Sequence, residues 1–263
     1  MKSFLKLKKK PKNKVIVIVG GSGQLGKVSV DTLIQNGYIV INLDLADLKI
    51  SSKNYFFFKI DITNEKEIIK ITKIISKKFK KIYGLINHSH YKGGRILDKK
   101  SNFFSSFENY PFSEWLSAIN VNLNGLFLTT KYFLPLLLKN KSSIIINTSS
   151  TYGKVAPNKK IYGKSNINSP ISYSTTKAAI IGFTKYLATH YGEKGLRSNI
   201  LVPGGMINKK HTARFIKNYS NLTPNVRMSN SSEYSDAILF LVSESSSYMN
   251  GSEFIIDGGW TAW

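Results

Sequence analysis

Lys14-Val-Ile-Val-Ile-Val19 runs without interruption into Gly20-Gly-Ser-Gly-Gln-Leu-Gly26, and the reading of this junction decides the fold. An apolar run of strand length with no polar alternation suits a strand covered on both faces, as in a parallel sheet. An amphipathic segment follows through Asn36, carrying Val28, Leu33 and Ile34. Strand, glycine turn and helix give the setting in which Gly21, Gly23 and Gly26, at GxGxxG spacing, point to a dinucleotide. Glycines let the backbone approach a diphosphate, and the helix N-terminus offers amide donors and the positive end of its dipole.

The next strand, Tyr38-Ile-Val-Ile-Asn-Leu43, ends at Asp44. A carboxylate there accepts hydrogen bonds from both ribose hydroxyls and repels a 2′-phosphate, so NAD is favoured over NADP. Further strands are predicted at 55–60, closed by Asp61, and at 81–86, running into Asn87-His88-Ser89-His90. Others follow at 143–147, before Thr148-Ser149-Ser150, at 195–202, before Pro203-Gly204-Gly205, and at 251–256. Helical patterns lie between them: one with Ile68, Ile71, Ile75 and Phe79 on a single face, a long one from about 113 to 140, and one from about 232 to 243. The alternation predicts a single-domain α/β fold, a Rossmann-type doubly wound parallel sheet of about seven strands, with its crevice at their carboxyl ends. Residues 1–13 read as a basic arm and 14–263 as the domain, with substrate-binding insertions near 91–112, 154–170 and 207–231.

The totals narrow the function classes. At 263 residues and 42% hydrophobic content the chain can bury a sizeable core. The absence of cysteine excludes disulfides, thiolate metal sites and a cysteine nucleophile. The lysine-rich start lacks the apolar core of a secretory signal. The longest apolar stretch, Gly125 to Leu138, is broken by Lys131 and Pro135, so no membrane span and a cytoplasmic location are expected. The formal charge of +23 raises nucleic acid as a partner. The basic residues are spread along the chain and not interleaved with aromatic platforms, so no nucleic acid is expected.

Ser172-Tyr-Ser-Thr-Thr-Lys-Ala-Ala179 carries the chemistry. Residues four apart share a helix face, which sets the Lys177 ammonium beside the Tyr173 phenol. A nearby positive charge favours the phenolate, making the pair an acid–base couple for a hydroxyl or carbonyl oxygen.

Together these stretches resemble the short-chain dehydrogenase/reductase family over nearly all of residues 14–260. The turn at 20–26 is similar to the family's TGxxxGxG, with Val19 and Gln24 replacing the Thr and middle Gly. Tyr173 and Lys177 match its YxxxK, Ser150 its catalytic serine and Asn122 its catalytic asparagine. Asn87 keeps the first position of NNAG, and Pro203-Gly204 matches the PG motif. The resemblance implies that Tyr173 exchanges the proton and that Lys177 lowers its pKa and holds the nicotinamide ribose. It further implies that Ser150 binds the substrate oxygen and Asn122 holds a water. Gly20, Gly21, Ser22, Gly23, Gln24, Leu25, Gly26, Asp44, Asp61, Ile62, Asn87, Pro203, Gly204 and Ile207 would join Tyr173 and Lys177 in binding NAD. A homotetramer or homodimer is implied as well.

The insert between Ser150 and Tyr173 resembles a branch that includes flagellin-modification and legionaminic acid pathway dehydrogenases. That suggests an anionic, phosphorylated or nucleotide-linked amino-sugar substrate, with Lys154 and Lys160 as point charges for it. His88, His90 and Arg95 are further substrate candidates. No third ligand accompanies the HxH pair, so no metal is expected. Two rivals stay open: a 3-oxoacyl-carrier-protein reductase, and a non-catalytic dinucleotide- or nucleic-acid-binding Rossmann protein.

Overall fold

The structure, a computed structural model, describes residues 11, 13–91, 93, 102–163, 165 and 167–263. Arg95, Lys164 and nearly all of the basic arm lie outside them. The chain runs β1 (Val15–Val19), α1 (Gln24–Gln35), β2 (Ile39–Asp44), β3 (Tyr55–Lys59), α2 (Glu65–Phe79) and β4 (Gly84–Asn87). It continues with α3 (Phe112–Ile119), α4 (Gly125–Leu137), β5 (Ser143–Thr148), α5 (Ile171–Tyr191) and β6 (Leu196–Pro203). The last elements are α6 (Ala213–Asn221), α7 (Ser235–Val242) and β7 (Glu253–Ile256). The seven strands form one sheet in the order β3-β2-β1-β4-β5-β6-β7, and every pairing is parallel.

The unbroken apolar run of β1 has a direct cause. Val15, Val17 and Val19 pack on one face with Ile68, Ile75, Phe133 and Leu187 of α2, α4 and α5. Ile16 and Ile18 pack on the other with Val30, Leu33 and Ile238 of α1 and α7. Both sides of the pleat are core, so neither can be polar. Strand order reverses between β1 and β4, which opens a crevice at their carboxyl ends.

Two elements differ from the sequence reading. The long helix predicted from 113 to 140 is interrupted by a five-residue π-helical segment, Asn120–Asn124, which joins α3 to α4. The widened turn moves Asn122 inward, where it is buried. The stretch 207–231, read as a substrate-binding insertion with no element assigned to it, contains α6, whose start is capped by the Thr212 hydroxyl accepting from the Phe215 amide at 3.2 Å. Phe215, Ile216 and Tyr219 give this short helix an inner face. Among the described residues, no helix is long and apolar enough to cross a membrane.

Candidate active site

A cleft of about 980 Å³ opens at the carboxyl ends of the strands, at the upper end of the roughly 300–1,000 Å³ usual for small-molecule sites. One wall is the glycine turn. Gly20 has a φ of +78°, and a Cβ there would come within 2.6 Å of the Ser89 amide nitrogen. A Cβ on Gly26 would overlap the Gly20 carbonyl, and one on Gly21 the Asn42 side chain. Gly21 therefore serves packing against β2 and stands behind the wall, whereas Gly20, Ser22, Gly23, Gln24, Leu25 and Gly26 form it. Helix α1 begins there with no side-chain cap and no acidic residue in its first turn. Its leading amides thus face the cleft, the arrangement an anionic diphosphate needs.

Asp44 faces the same space and also holds the turn: its carboxylate accepts from the Ser22 amide at 2.8 Å and the Leu45 amide at 2.7 Å. Asp61 and Ile62 continue the wall, and the Asp61 carboxylate accepts from the Thr63 amide and hydroxyl at 2.9 and 2.7 Å. Pro203 and Gly204 close the far end.

The catalytic candidates converge in the middle. β5 delivers Ser150, while α5, entered from Pro170, presents Tyr173 and Lys177 one turn apart. The Ser150 and Tyr173 side chains are hydrogen-bonded to each other. Lys177 is 2% exposed, and its Nζ donates to the Thr148 carbonyl at 2.8 Å. Burial pulls its pKa down to about 7. The same enclosure raises the Tyr173 phenol above its ordinary 10, against the Ser150 hydrogen bond, which lowers it. This corrects the expectation that Lys177 depresses the Tyr173 pKa. The Nζ lies 5.8 Å from the ring centroid, is committed to Thr148, and is only half-charged near neutrality.

Similar proteins place this arrangement. The family model described as enoyl-(acyl carrier protein) reductase matches residues 40–261. A 3-oxoacyl-[acyl-carrier-protein] reductase of Buchnera aphidicola is 31% identical, over 95% of this chain and 98% of that protein. The post-translational flagellin modification protein A of Campylobacter coli is 27% identical, over 94% and 98%. The NAD+-bound crystal structure of a short chain dehydrogenase from Leptospira borgpetersenii superposes with a TM-score of 0.87 at 35% identity, covering 99% of both chains. The chain belongs to the short-chain dehydrogenase/reductase family. It is accordingly an NAD(P)-dependent oxidoreductase.

Within this dehydrogenase/reductase, several expected residues have other employment. Asn122 is not on the cleft wall: its amide donates to the Thr176 hydroxyl at 2.9 Å, and its oxygen accepts from the Tyr91 amide at 2.6 Å. Asn87 also stands behind the wall, cross-linking β4 to β5 through Asn147 at 2.7 Å. The Ile207 amide donates to the Ser229 carbonyl at 2.9 Å, and its carbonyl accepts from the Gln24 side chain at 2.7 Å. Both backbone groups of Ile207 are thus engaged within the protein. Gln24, in place of a glycine, ties the cofactor turn to the loop after β6.

The substrate candidates are rearranged further. His88 lies at the cleft but is buried, its Nε2 2.7 Å from the Ser29 hydroxyl and its Nδ1 2.7 Å from that of Thr148. Burial first, and then the Lys177 charge, push its pKa down to about 3, so it is a neutral brace between α1 and β5, both its ring nitrogens held by hydroxyls. His90 does line the cleft, edge-on to Tyr173 with ring centroids 6.1 Å apart. Lys154 does not: it pairs with Glu253 at 2.6 Å, and Lys185 shares that carboxylate at 3.3 Å. Lys160 is exposed and also off the wall. Besides Lys177, the lysines among the described residues that line the cleft are Lys209 and Lys210, which the sequence reading did not single out. It also missed Tyr152, Tyr162, Phe215 and Tyr219, which line the substrate end. Only Tyr152, two residues past Ser150, had a positional signal. The other three reach the cleft through the fold of 159–162 and α6. Among the described residues no cluster of potential metal ligands is present.

Proposed function

We propose that the chain catalyses NAD-dependent hydride exchange at a hydroxyl- or keto-bearing carbon of a polar, sugar-like substrate. The substrate carries a phosphate or nucleotide away from the reacting carbon and belongs to the synthesis of a surface glycan or nonulosonic acid. The observation that carries the reading is the convergence of Ser150, Tyr173 and Lys177 on a cleft whose other end has an uncapped helix N-terminus and Asp44. Asp44 supports NAD over NADP, because its carboxylate would repel a 2′-phosphate. When bound, the nicotinamide supplies or accepts the hydride.

The chain's own residues handle binding and the proton. Tyr173 Oη gives a proton to the substrate oxygen in reduction and takes it in oxidation. Ser150 Oγ holds that oxygen. Lys177, with a pKa near 7, exchanges a proton readily at neutral pH. Asn122 holds α5 in place through Thr176. Lys209 and Lys210, in place of Lys154 and Lys160, receive the anionic part of the substrate. The protein works in the cytoplasm as a homodimer or homotetramer, a reading supported by the exposed Phe112, Leu116 and Phe127 of α3 and α4.

The test is nicotinamide reduction or oxidation with a panel of phosphorylated and nucleotide-linked amino sugars, offering NAD and NADP separately. Turnover of one such sugar with NAD is the expected result. Turnover of a 3-oxoacyl substrate alone would transfer the chain to the reductase reading.

A further inference from the structure

The substrate end of the cleft is an aromatic wall of Tyr152, Tyr162, Phe215 and Tyr219, backed by the buried Trp260 of the C-terminal turn. Tyr152 meets Trp260 edge-on with centroids 6.3 Å apart, and Trp260 stacks on Tyr219 at 4.3 Å and 14°. Tyr219 touches Phe215, which in turn packs against His211 at 4.7 Å. Such a surface suits the C–H face of a flat ring.

Most polar atoms of this wall are committed. The Tyr219 hydroxyl accepts from the Gly205 amide at 2.7 Å, and Tyr162 is hydrogen-bonded to Ser169. Two polar atoms differ: Tyr152 Oη and His211 Nδ1 are buried and have no partner among the described residues. Both residues line the cleft. The Asn208 amide nitrogen lies 3.0 Å from His211 Nε2 and can only donate. Nε2 is therefore the acceptor, and the proton of the neutral ring sits on Nδ1. Burial keeps His211 below its ordinary 6.5, in keeping with a neutral ring. The two groups are unmatched hydrogen-bond donors, and a buried unmatched donor is a cost that a ligand acceptor would remove. Tyr152 follows Ser150 by two residues in the short 151–153 helix and lines the same cleft as Ser150 and Tyr173, and burial keeps its phenol protonated and able to donate.

We propose that Tyr152 and His211 are the specificity-determining pair of this enzyme, two neutral donors on an aromatic wall that read hydroxyl or carbonyl oxygens of a ring substrate. Tyr152 reads the oxygen on the carbon next to the reacting one, and His211 reads an oxygen at the far end. The inference rests on the sugar-like substrate proposed above and adds which of its atoms are recognised.

The experiment measures binding, independently of turnover, by NADH fluorescence in the ternary complex. The probes are trans-cyclohexane-1,2-diol and cyclohexanol, which differ by one vicinal hydroxyl. The wild type is expected to bind the diol about tenfold more tightly. In Tyr152→Phe that ratio should fall to about one, while thermal stability stays equal or rises, because the variant removes an unpaired buried hydroxyl and keeps the ring against Trp260. A merely structural role would lower stability and leave the ratio intact, and that result overturns the proposal. Equal binding of both probes by the wild type overturns it too. For His211, His211→Leu should weaken methyl glucoside binding several-fold and leave the diol ratio in place; unchanged glucoside binding removes His211 from the pair. Loss of hydride transfer to every sugar, with the diol ratio intact, would instead count against the proposed reaction.

Discussion

The two ends of the cleft are built by opposite means. At the cofactor end the backbone makes the surface: glycines keep it free of side chains, and the uncapped amides of α1 face it. At the substrate end side chains make it: Tyr152, Tyr162, Phe215 and Tyr219 line it, and Trp260 of the C-terminal turn packs behind Tyr152 and Tyr219. Backbone surfaces need particular residues at fixed spacing, because a single Cβ destroys them. Ring surfaces need only bulk in the right place, and many sequences supply it. The first end is therefore rigidly encoded and the second adaptable, which suits one fold to one cofactor and many substrates.

The sharpest break of this contrast is a methyl group in the glycine turn. Gly26→Ala forces a Cβ into the Gly20 carbonyl and Gly21 backbone. It should cost about 2–4 kcal/mol and lower the melting temperature by roughly 5–15 °C. Calorimetry reads that loss, and NADH affinity, read by fluorescence, should fall about 100-fold or more. Next in size is Asp44→Asn, which keeps an acceptor for the Ser22 amide but removes the charge that repels a 2′-phosphate. The preference for NADH over NADPH should shrink about tenfold in titrations, the worth of roughly one charged hydrogen bond.

Lys177 lies between the two ends, and its effect is read as stability against pH. Its pKa is about 7 when folded, against an ordinary 10.5. Between these values the unfolded chain holds a proton that the folded chain has lost, so stability rises with pH across the window. Below pH 7 both forms are charged and the fold bears the full cost of burial. Lys177→Met should therefore abolish turnover yet stabilise the protein at pH 6.5 by on the order of 1–3 kcal/mol. That gain should vanish towards pH 10, as melting curves at several pH values would register. The smallest effect is expected at the substrate end's periphery. Lys154→Ala breaks a partly exposed pair with Glu253 and should change stability by less than about 1 kcal/mol and the Michaelis constant by less than twofold.

The sequence made the sheet legible because each strand of a doubly covered sheet is unavoidably apolar, and β1 shows both faces at work. Tyr173 and Lys177 were legible because helix periodicity sets residues four apart on one face, and Ser150 because its position resembles that of the family's serine. Asn122 reads from the sequence as a catalytic residue that holds a water, but the π-helical segment that turns it inward onto Thr176 leaves no periodic mark. The lysines were misplaced because charge near a cleft in sequence says nothing about which carboxylate lies closer in space, and Glu253 is 99 residues from Lys154. His88 read as a ligand candidate because its partners, Ser29 and Thr148, come from two distant elements. The pKa of Tyr173 was read from its neighbour alone, whereas enclosure by the whole site decides it.

The most direct test compares the wild type with Tyr173→Phe in two readings, NADH affinity by fluorescence and hydride transfer by absorbance, on whichever sugar the panel identifies. The account predicts NADH affinity within twofold, since the cofactor end is backbone-built, and turnover lower by about 10³-fold or more. Turnover retained in Tyr173→Phe, with NADH affinity unchanged, would contradict it.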